Sequence, residues 1–394
     1  MAIPGPVLLL IGPLLGGLLI VPLRRWQWVT AVSGLLITAV LWLMLRAIPL
    51  QPTAIELSTR LFAGDTYFLW EQPLLLTEAV QSLLLLLYAV SGGLFLLSGW
   101  WPSGHNFVPM ALAVLSPLAA ALMIRPFTLG AICLLIAIAS LVLIIQSERA
   151  GTVRPALRFL LIGLLATCLF LLAGWMIGPD QTGLQATASR LLVVAFAMLM
   201  AGFPFYIWVI PAAKRTPLLA RVFVLSLMPL VVTLFLFHLR QEHPWLLQDA
   251  QFALWLRWSG LLTVLVAGLS ALTADPRRLL GALVLLDMGL ALVGLAVGLG
   301  ETAVITLHLT RAVSLLLAGI GLERDNRLLY AYGCASLLGL PLTPGFWGHW
   351  PLLSQAPDIT FALLLLAGLA GGLLGWWYQL HRPSEVPPSS PQLP

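Results

Sequence analysis

Residues 279–321 read LLGALVLLDMGLALVGLAVGLGETAVITLHLTRAVSLLLAGIG, and their only ionisable side chains are Asp287, Glu301, His308 and Arg311. Glu301 separates two apolar runs, 279–299 and 302–321. At 1.5 Å per residue, each run is long enough to cross a hydrocarbon layer of about 30 Å. In water such a run would expose apolar side chains all round. In lipid a helix pairs its backbone N–H and C=O groups internally and turns its side chains to the acyl chains.

The same pattern extends outward to the rest of the 394 residues. Apolar residues make up 60% and charged ones 9%, where soluble domains carry about 25% charged residues. A water-facing surface needs more charge than this. Apolar runs recur at about 5–23, 28–48, 79–100, 107–124, 127–145, 157–178, 189–211, 220–239, 254–273, 279–299, 302–321, 328–351 and 360–380. The expected fold is an all-α polytopic membrane protein of about 13 transmembrane helices. The first run lacks a basic start and is followed by Arg24 and Arg25, so it reads as a retained span and not a cleaved signal. Loop 49–77 alternates polar and apolar residues around Ala63-Gly64-Asp65, which predicts a short hairpin. The tail, 381–394, is rich in Pro and Ser and is expected to be disordered.

The formal net charge is +5, and 13 of the 20 basic residues fall on odd-numbered loops and the tail. Even-numbered loops hold Arg46, Arg60, Arg125, Arg190, Arg240 and Arg257, and Arg311 lies within a span. By the positive-inside rule the N-terminus is expected outside and the C-terminus in the cytoplasm, in the inner (plasma) membrane. The basic residues occur singly and in pairs with no stripe or aromatic platform, which argues against a nucleic-acid partner. Cys133, Cys168 and Cys334 lie in separate apolar runs, a spacing that fits neither a disulfide framework nor a metal site. A phosphate-binding glycine loop, a nucleophile elbow and metal-spaced Cys or His are all missing. The chain is therefore expected to carry no catalytic residue, metal or cofactor of its own.

Two runs are interrupted. Gly202-Phe203-Pro204-Phe205-Tyr206-Ile207-Trp208 breaks one; Gly339-Leu340-Pro341-Leu342-Thr343-Pro344-Gly345-Phe346-Trp347 breaks another about five runs later. Such breaks free backbone groups that must face protein or a wet cavity. Paired broken spans in two halves point to inverted repeats of a transporter type; the alternative is that Pro and Gly are simply common in membrane helices. Pro204, Pro341, Pro344 and Gly345 are the candidate break residues.

Four segments resemble the antiporter-like membrane subunits of NADH:quinone oxidoreductase (respiratory complex I), which are similar to Mrp-type antiporter and membrane-hydrogenase subunits. Pro204-Phe205-Tyr206-Ile207-Trp208 with Pro211 resembles that family's Pro-Phe-His-x-Trp-x-Pro. Asp275-Pro276-Arg277-Arg278-Leu279-Leu280, with Met288-Gly289, resembles its Asp-x-Lys-Arg-x-Leu…Met-Gly stretch. Arg311 through Gly319 resembles its Lys-Ala-x-x-Phe-x-x-x-Gly helix, and Gly339 through Gly348 its Gly-x-Pro-Pro-x-x-Gly-Phe-x-Gly-Lys stretch. The resemblance covers about 70–355. It implies two inverted five-helix repeats, 107–240 and 241–380, each with one broken helix, after N-terminal helices in 1–106. It also implies membrane and peripheral partner subunits, with NADH, flavin, iron–sulfur clusters and quinone bound only by those partners.

The departures bear on function. Family members conduct protons along a mid-membrane row of Lys, Glu and His, because a relay needs groups whose protonation can change. Here the single lysine is Lys214, in a loop, and run 127–145 has no carboxylate. Leu199 and Met228-Pro229 stand near expected lysine positions, Tyr206 replaces a histidine, and Arg311 replaces a lysine with a group that stays protonated. The chain also reads as one span short. His308 and Arg311 share a helix face, and Asp287 in the preceding run can pair with Arg311. His349 either caps the second broken helix, titrates beside it or faces outer solvent. Glu78 is expected at the interface, and Asp275–Arg278 as a loop anchor.

The sequence is therefore read as a membrane-arm subunit of a complex I-like, redox-driven proton-translocating complex, degenerate in its own proton path. Candidate buried charges are Asp287, His308, Arg311 and His349. The alternatives are a purely structural scaffold of the same complex, a stand-alone transporter, or a lipid-linked sugar transferase.

Overall fold

A computed structural model describes residues 3–48, 62–63, 66–69, 72–101, 103–146, 153–177, 182–355 and 359–381. Most of loop 49–77 and the tail beyond His381 lie outside the described residues, as do Arg60, Arg149 and Arg382.

The described chain is almost entirely helical. Helices α1 (Gly5–Ile20), α2 (Gln27–Ala47), α3 (Glu78–Leu97), α4 (Phe107–Met123), α5 (Phe127–Ile145) and α6 (Arg154–Met176) are followed by α7 (Gln185–Leu199) and the short α8 (Val209–Arg215). Then come α9 (Leu218–Glu242) and α10 (Ala250–Leu272). Helices α11 (Pro276–Ala296), α12 (Glu301–Glu323), α13 (Arg327–Leu337), α14 (Pro344–Leu353) and α15 (Ile359–His381) complete the order. Among the described residues ten helical segments are long and apolar enough to cross a membrane, and α4 and α7 are shorter apolar helices. The expected run 328–351 is divided between α13 and α14.

Several starts are set by short polar side chains that take up an N–H left unpaired by the first turn. Thr77 accepts from Val80, Asp275 from Arg278 at 2.8 Å, and Asn326 from Leu329 at 3.0 Å. Glu78 is exposed in the first turn of α3, where the helix dipole favours a negative charge. Inside α9 a π turn spans Phe223–Leu227, just before Pro229. Proline offers no N–H and crowds the carbonyl four residues back, and a widened turn relieves both.

Two helices form the axis. The spans of α9 and α11 are 94% buried, whereas α1 and α2 are 33% and α15 28% buried. Leu18, Leu19, Leu43, Leu269 and Leu363 point outward, so the exterior is a lipid-facing surface. A polar side chain on α9 or α11 is therefore withheld from both lipid and water. Backbone contact holds α15 to α10: a Cβ on Gly268 would stand 2.3 Å from the Gly368 carbonyl oxygen. Close approach of this kind replaces the hydrophobic drive that is absent between helices in lipid.

Helix ends sort into two faces. Arg24 donates to Asn106 at 3.3 Å, Arg324 stacks over Trp101, Lys214 pairs with Asp275 and Tyr330 donates to the Pro276 carbonyl. These contacts gather the odd-numbered connections, and with them most of the described basic residues, at one end of the bundle. At the other end Arg125 reaches Pro73 and Glu242. There Thr66–Leu69 pairs antiparallel with Gln72–Leu75, so the hairpin lies later than the Ala63–Asp65 centre expected from alternation. Phe62–Ala63 instead runs parallel to Ile3–Pro4.

Candidate functional site

Helices α11, α12 and α14 meet at Asp287. It sits near the middle of α11 between the inaccessible Leu286 and Met288 and is 1% exposed. An unpaired carboxylate in such a place costs several kcal/mol, roughly, and has to find cations. Arg311 on α12 supplies one: its Nε–H donates to Asp287 Oδ2, and its Nη2–H to the Asp287 backbone carbonyl at 3.2 Å. His349 on α14 supplies the other side, with Nε2 2.7 Å from Asp287 Oδ1.

Donor and acceptor chemistry fixes one proton of the imidazole. His349 Nδ1 lies 2.8 Å from the Gly345 carbonyl oxygen. A carbonyl only accepts, so Nδ1 carries a proton. Nε2 lies at ion-pair distance from Oδ1 without the geometry of a hydrogen bond, so the carboxylate takes its hydrogen bond from Arg311. The site is a buried carboxylate held between a guanidinium and an imidazole.

The break in the second half puts His349 there. After α13 the chain turns through 338–343 and restarts at Pro344, where the missing N–H is no loss. Pro341 lies in the turn, while Pro344 and Gly345 open α14; the break is narrower than expected from the sequence. Gly339 has φ +70°, and a Cβ there would meet His349 Nδ1 at 2.4 Å, so the position requires glycine twice over. Ser336 Oγ accepts the Gly345 N–H at 2.9 Å and lies 2.6 Å from Ser314 Oγ, tying α12, α13 and α14 together.

The first break has a different content. The chain between α7 and α8 contains Pro204, with Ala201 in the left-handed region at φ 55°. Its freed backbone groups are met from α10: Thr263 Oγ1 accepts the Phe203 N–H at 2.7 Å, and Ser259 donates to the Phe203 carbonyl at 3.1 Å. Those hydroxyls explain how a break is tolerated at membrane depth. Tyr206 is half-buried in the following turn, its ring stacked on Phe203.

His308 behaves differently from its helix neighbour Arg311. Its Nε2 lies 3.0 Å from Thr233 Oγ1 on α9, linking the two halves instead of joining Asp287. A shared helix face did not ensure a shared partner. His349, for its part, is 3% exposed and does not face outer solvent.

The sequence did not reveal a second cluster. Arg125 lies in the bend between α4 and α5, as expected, whereas Arg240, also expected on a loop, falls within α9, is 8% exposed and donates to the Leu295 carbonyl at 3.2 Å with its guanidinium over Phe252. Glu242 pairs with Arg125, and His238 is buried one turn before it. The i, i+4 spacing of His238 and Glu242 was the available signal; the covering by the end of α11 was not visible. Among the described residues, the buried Arg, His, Asp and Glu side chains of α4–α9 lie toward the ends of the bundle. At mid-depth α3 and α9 bury hydroxyls, namely Tyr88, Ser91, Ser226 and Thr233.

No family model matches the chain. Subunit N of NADH-quinone oxidoreductase from Chromohalobacter salexigens is 26% identical over 278 residues, 59% of this chain; the chain spans 57% of that relative's length. In shape, the chain is similar to one in the Mrp complex from Dietzia sp. DQ12-45-1b (TM-score 0.75, 17% identity, 95% of this chain and 78% of that one). It is also similar to a chain of the membrane-bound sulfane sulfur reductase, an archaeal respiratory membrane complex (0.76, 15%, 95% and 87%). A chain of respiratory complex I from Thermus thermophilus matches with a TM-score of 0.69 at 19% identity, covering 95% of this chain and 91% of that one. The resemblance of the four sequence segments thus extends, as fold, over nearly the whole chain.

Proposed function

We propose that this chain is a membrane-arm subunit of a redox-driven, proton-translocating assembly of the complex I kind, with any proton handling of its own confined to α11, α12 and α14. The observation that carries this reading is the Asp287–His349 contact, a buried carboxylate and imidazole 2.7 Å apart beside an arginine. A relay needs a group that can gain and lose a proton in a dry interior. In this chain that group is the pair, and Arg311 balances its charge without passing protons. The first half offers hydroxyls at the same depth, which can orient a proton but do not store one at neutral pH.

The partners are other membrane and peripheral subunits, and those peripheral subunits hold the NADH, flavin, iron–sulfur and quinone chemistry. The two five-helix units, 107–240 and 241–380, are inverted repeats with one break each, and the basic face is cytoplasmic. A scaffold role in the same assembly is favoured by one specific feature: the Arg311–Asp287 contact pairs two opposite buried charges and pins α11 to α12.

The test is gentle extraction from native membrane, native-gel separation and mass spectrometry, followed by proton-pumping assays on the assembly carrying His349→Gln or Asp287→Asn. Co-migration with redox subunits supports membership, and a reduced proton-to-electron ratio at unchanged electron transfer supports the proton pair. An unchanged ratio in an intact assembly leaves only the scaffold, and migration of the chain alone overturns membership itself.

A further inference from the structure

We infer that the basic face carries a binding site for the phosphate headgroup of an anionic lipid, built around the short helix α8. A cavity of about 530 Å³ opens there between the start of α6, the turn before α8, the end of α10 and the start of α11. Arg158, Tyr206, Lys214, Arg215, Thr273 and Arg278 are among its walls. Four of these six are cations. They come from three segments, the start of α6, the end of α8 and the start of α11, so the fold gathers a charge that the sequence scatters. Asp275 offsets one, pairing with Lys214 at 2.9 Å and approaching Arg278 at 3.7 Å.

The geometry points to a headgroup and not to a soluble anion. The cavity lies at the end of the bundle, level with helix termini, where lipid phosphates sit. Ile207, Ile210 and Pro211 continue its wall into the apolar flank, which suits a ligand with an acyl chain attached. The tyrosine and threonine hydroxyls and the arginine N–H groups are donors matched to phosphate oxygens. Basic recesses between transmembrane helices select anionic headgroups in this way, while zwitterionic ones bring a cation of their own. The first break creates the recess, because α8 restarts after it as a seven-residue segment packed on α11 and leaves space beside α10.

Native mass spectrometry of the full chain released from nanodiscs tests the assignment. With phosphatidylglycerol, retained lipid adducts are expected, and with phosphatidylcholine few or none. Arg158→Gln with Arg278→Gln should weaken phosphatidylglycerol retention by about tenfold or more. Arg154→Gln with Arg277→Gln removes the same charge from exposed positions outside the cavity and should leave retention unchanged. Equal loss in both double variants, equal retention of the two lipids, or adducts of inorganic phosphate that displace the lipid would overturn the proposal. So would density for a neighbouring subunit's acidic segment in the cavity of the intact assembly.

Discussion

At the scale of single residues, the Asp287–Arg311 pair illustrates why a buried ion pair is a poor measure of stability. Removing one partner strands the other charge, so Arg311→Met is expected to cost about 3–5 kcal/mol. The double variant Asp287→Leu/Arg311→Met is expected to recover most of that loss, because two apolar side chains need no partner. Thermal unfolding of the four proteins of this cycle in detergent checks both statements. Gly339→Ala should act through His349: a methyl group 2.4 Å from Nδ1 at φ +70° displaces the ring, and the imidazole NMR signal should lose its hydrogen-bonded shift. Asp275, outside the spans, gives a pH signature. Burial raises its carboxyl, but the Lys214 hydrogen bond, the Arg278 N–H and both positive charges outweigh burial and hold it below the usual aspartate range. A depressed carboxylate stabilises the fold above its unfolded pKa and loses that contribution as pH falls through the folded one. The difference in melting temperature between the native chain and Asp275→Asn should therefore be constant near neutrality and shrink below about pH 4. The effect is small, since the side chain is 45% exposed.

At the scale of elements, the breaks and the close helix contacts were legible to different degrees. Pro204 and Pro341 announced both interruptions, because proline cannot continue a helix. The hydroxyls that make the first break tolerable, Ser259 and Thr263, lie on α10 and drew no attention, since a serine in an apolar run has no pattern of its own. The end of α9 is marked less clearly in the sequence, for a related reason. Arg240 looks like the end of a span, yet its charge is taken up by the Leu295 carbonyl and the Phe252 ring, so the helix continues to Glu242. Contact between α10 and α15 makes a sharper prediction. Gly368→Leu would drive a side chain into α10, where even a Cβ stands 2.4 Å from a Val264 methyl carbon. α15 should separate from α10, and cysteines introduced at Ala274 and Gln379, where the Gln379 side chain donates to the Ala274 carbonyl, should stop cross-linking while the rest of the chain stays folded.

At the scale of the whole molecule, the alternation of helix ends makes orientation testable. A single cysteine at Arg277, on the basic face, is expected to react with impermeant reagents only from the cytoplasm, and one at exposed Gln251, beside the opposite helix ends, only from outside. The reverse pattern would invert the topology without altering the fold. The sequence by itself determined that the chain is helical and that it crosses a membrane many times. Those features follow from local composition and from the demand that backbone groups in lipid be paired within their own segment. Only the tertiary structure decided that His349 meets Asp287, that His308 turns to Thr233 instead, and that Arg158, Lys214, Arg215 and Arg278 surround one cavity. These depend on the rotation and spacing of helices distant in sequence, which are set by the packing of whole faces and leave no mark in the residues flanking each charge.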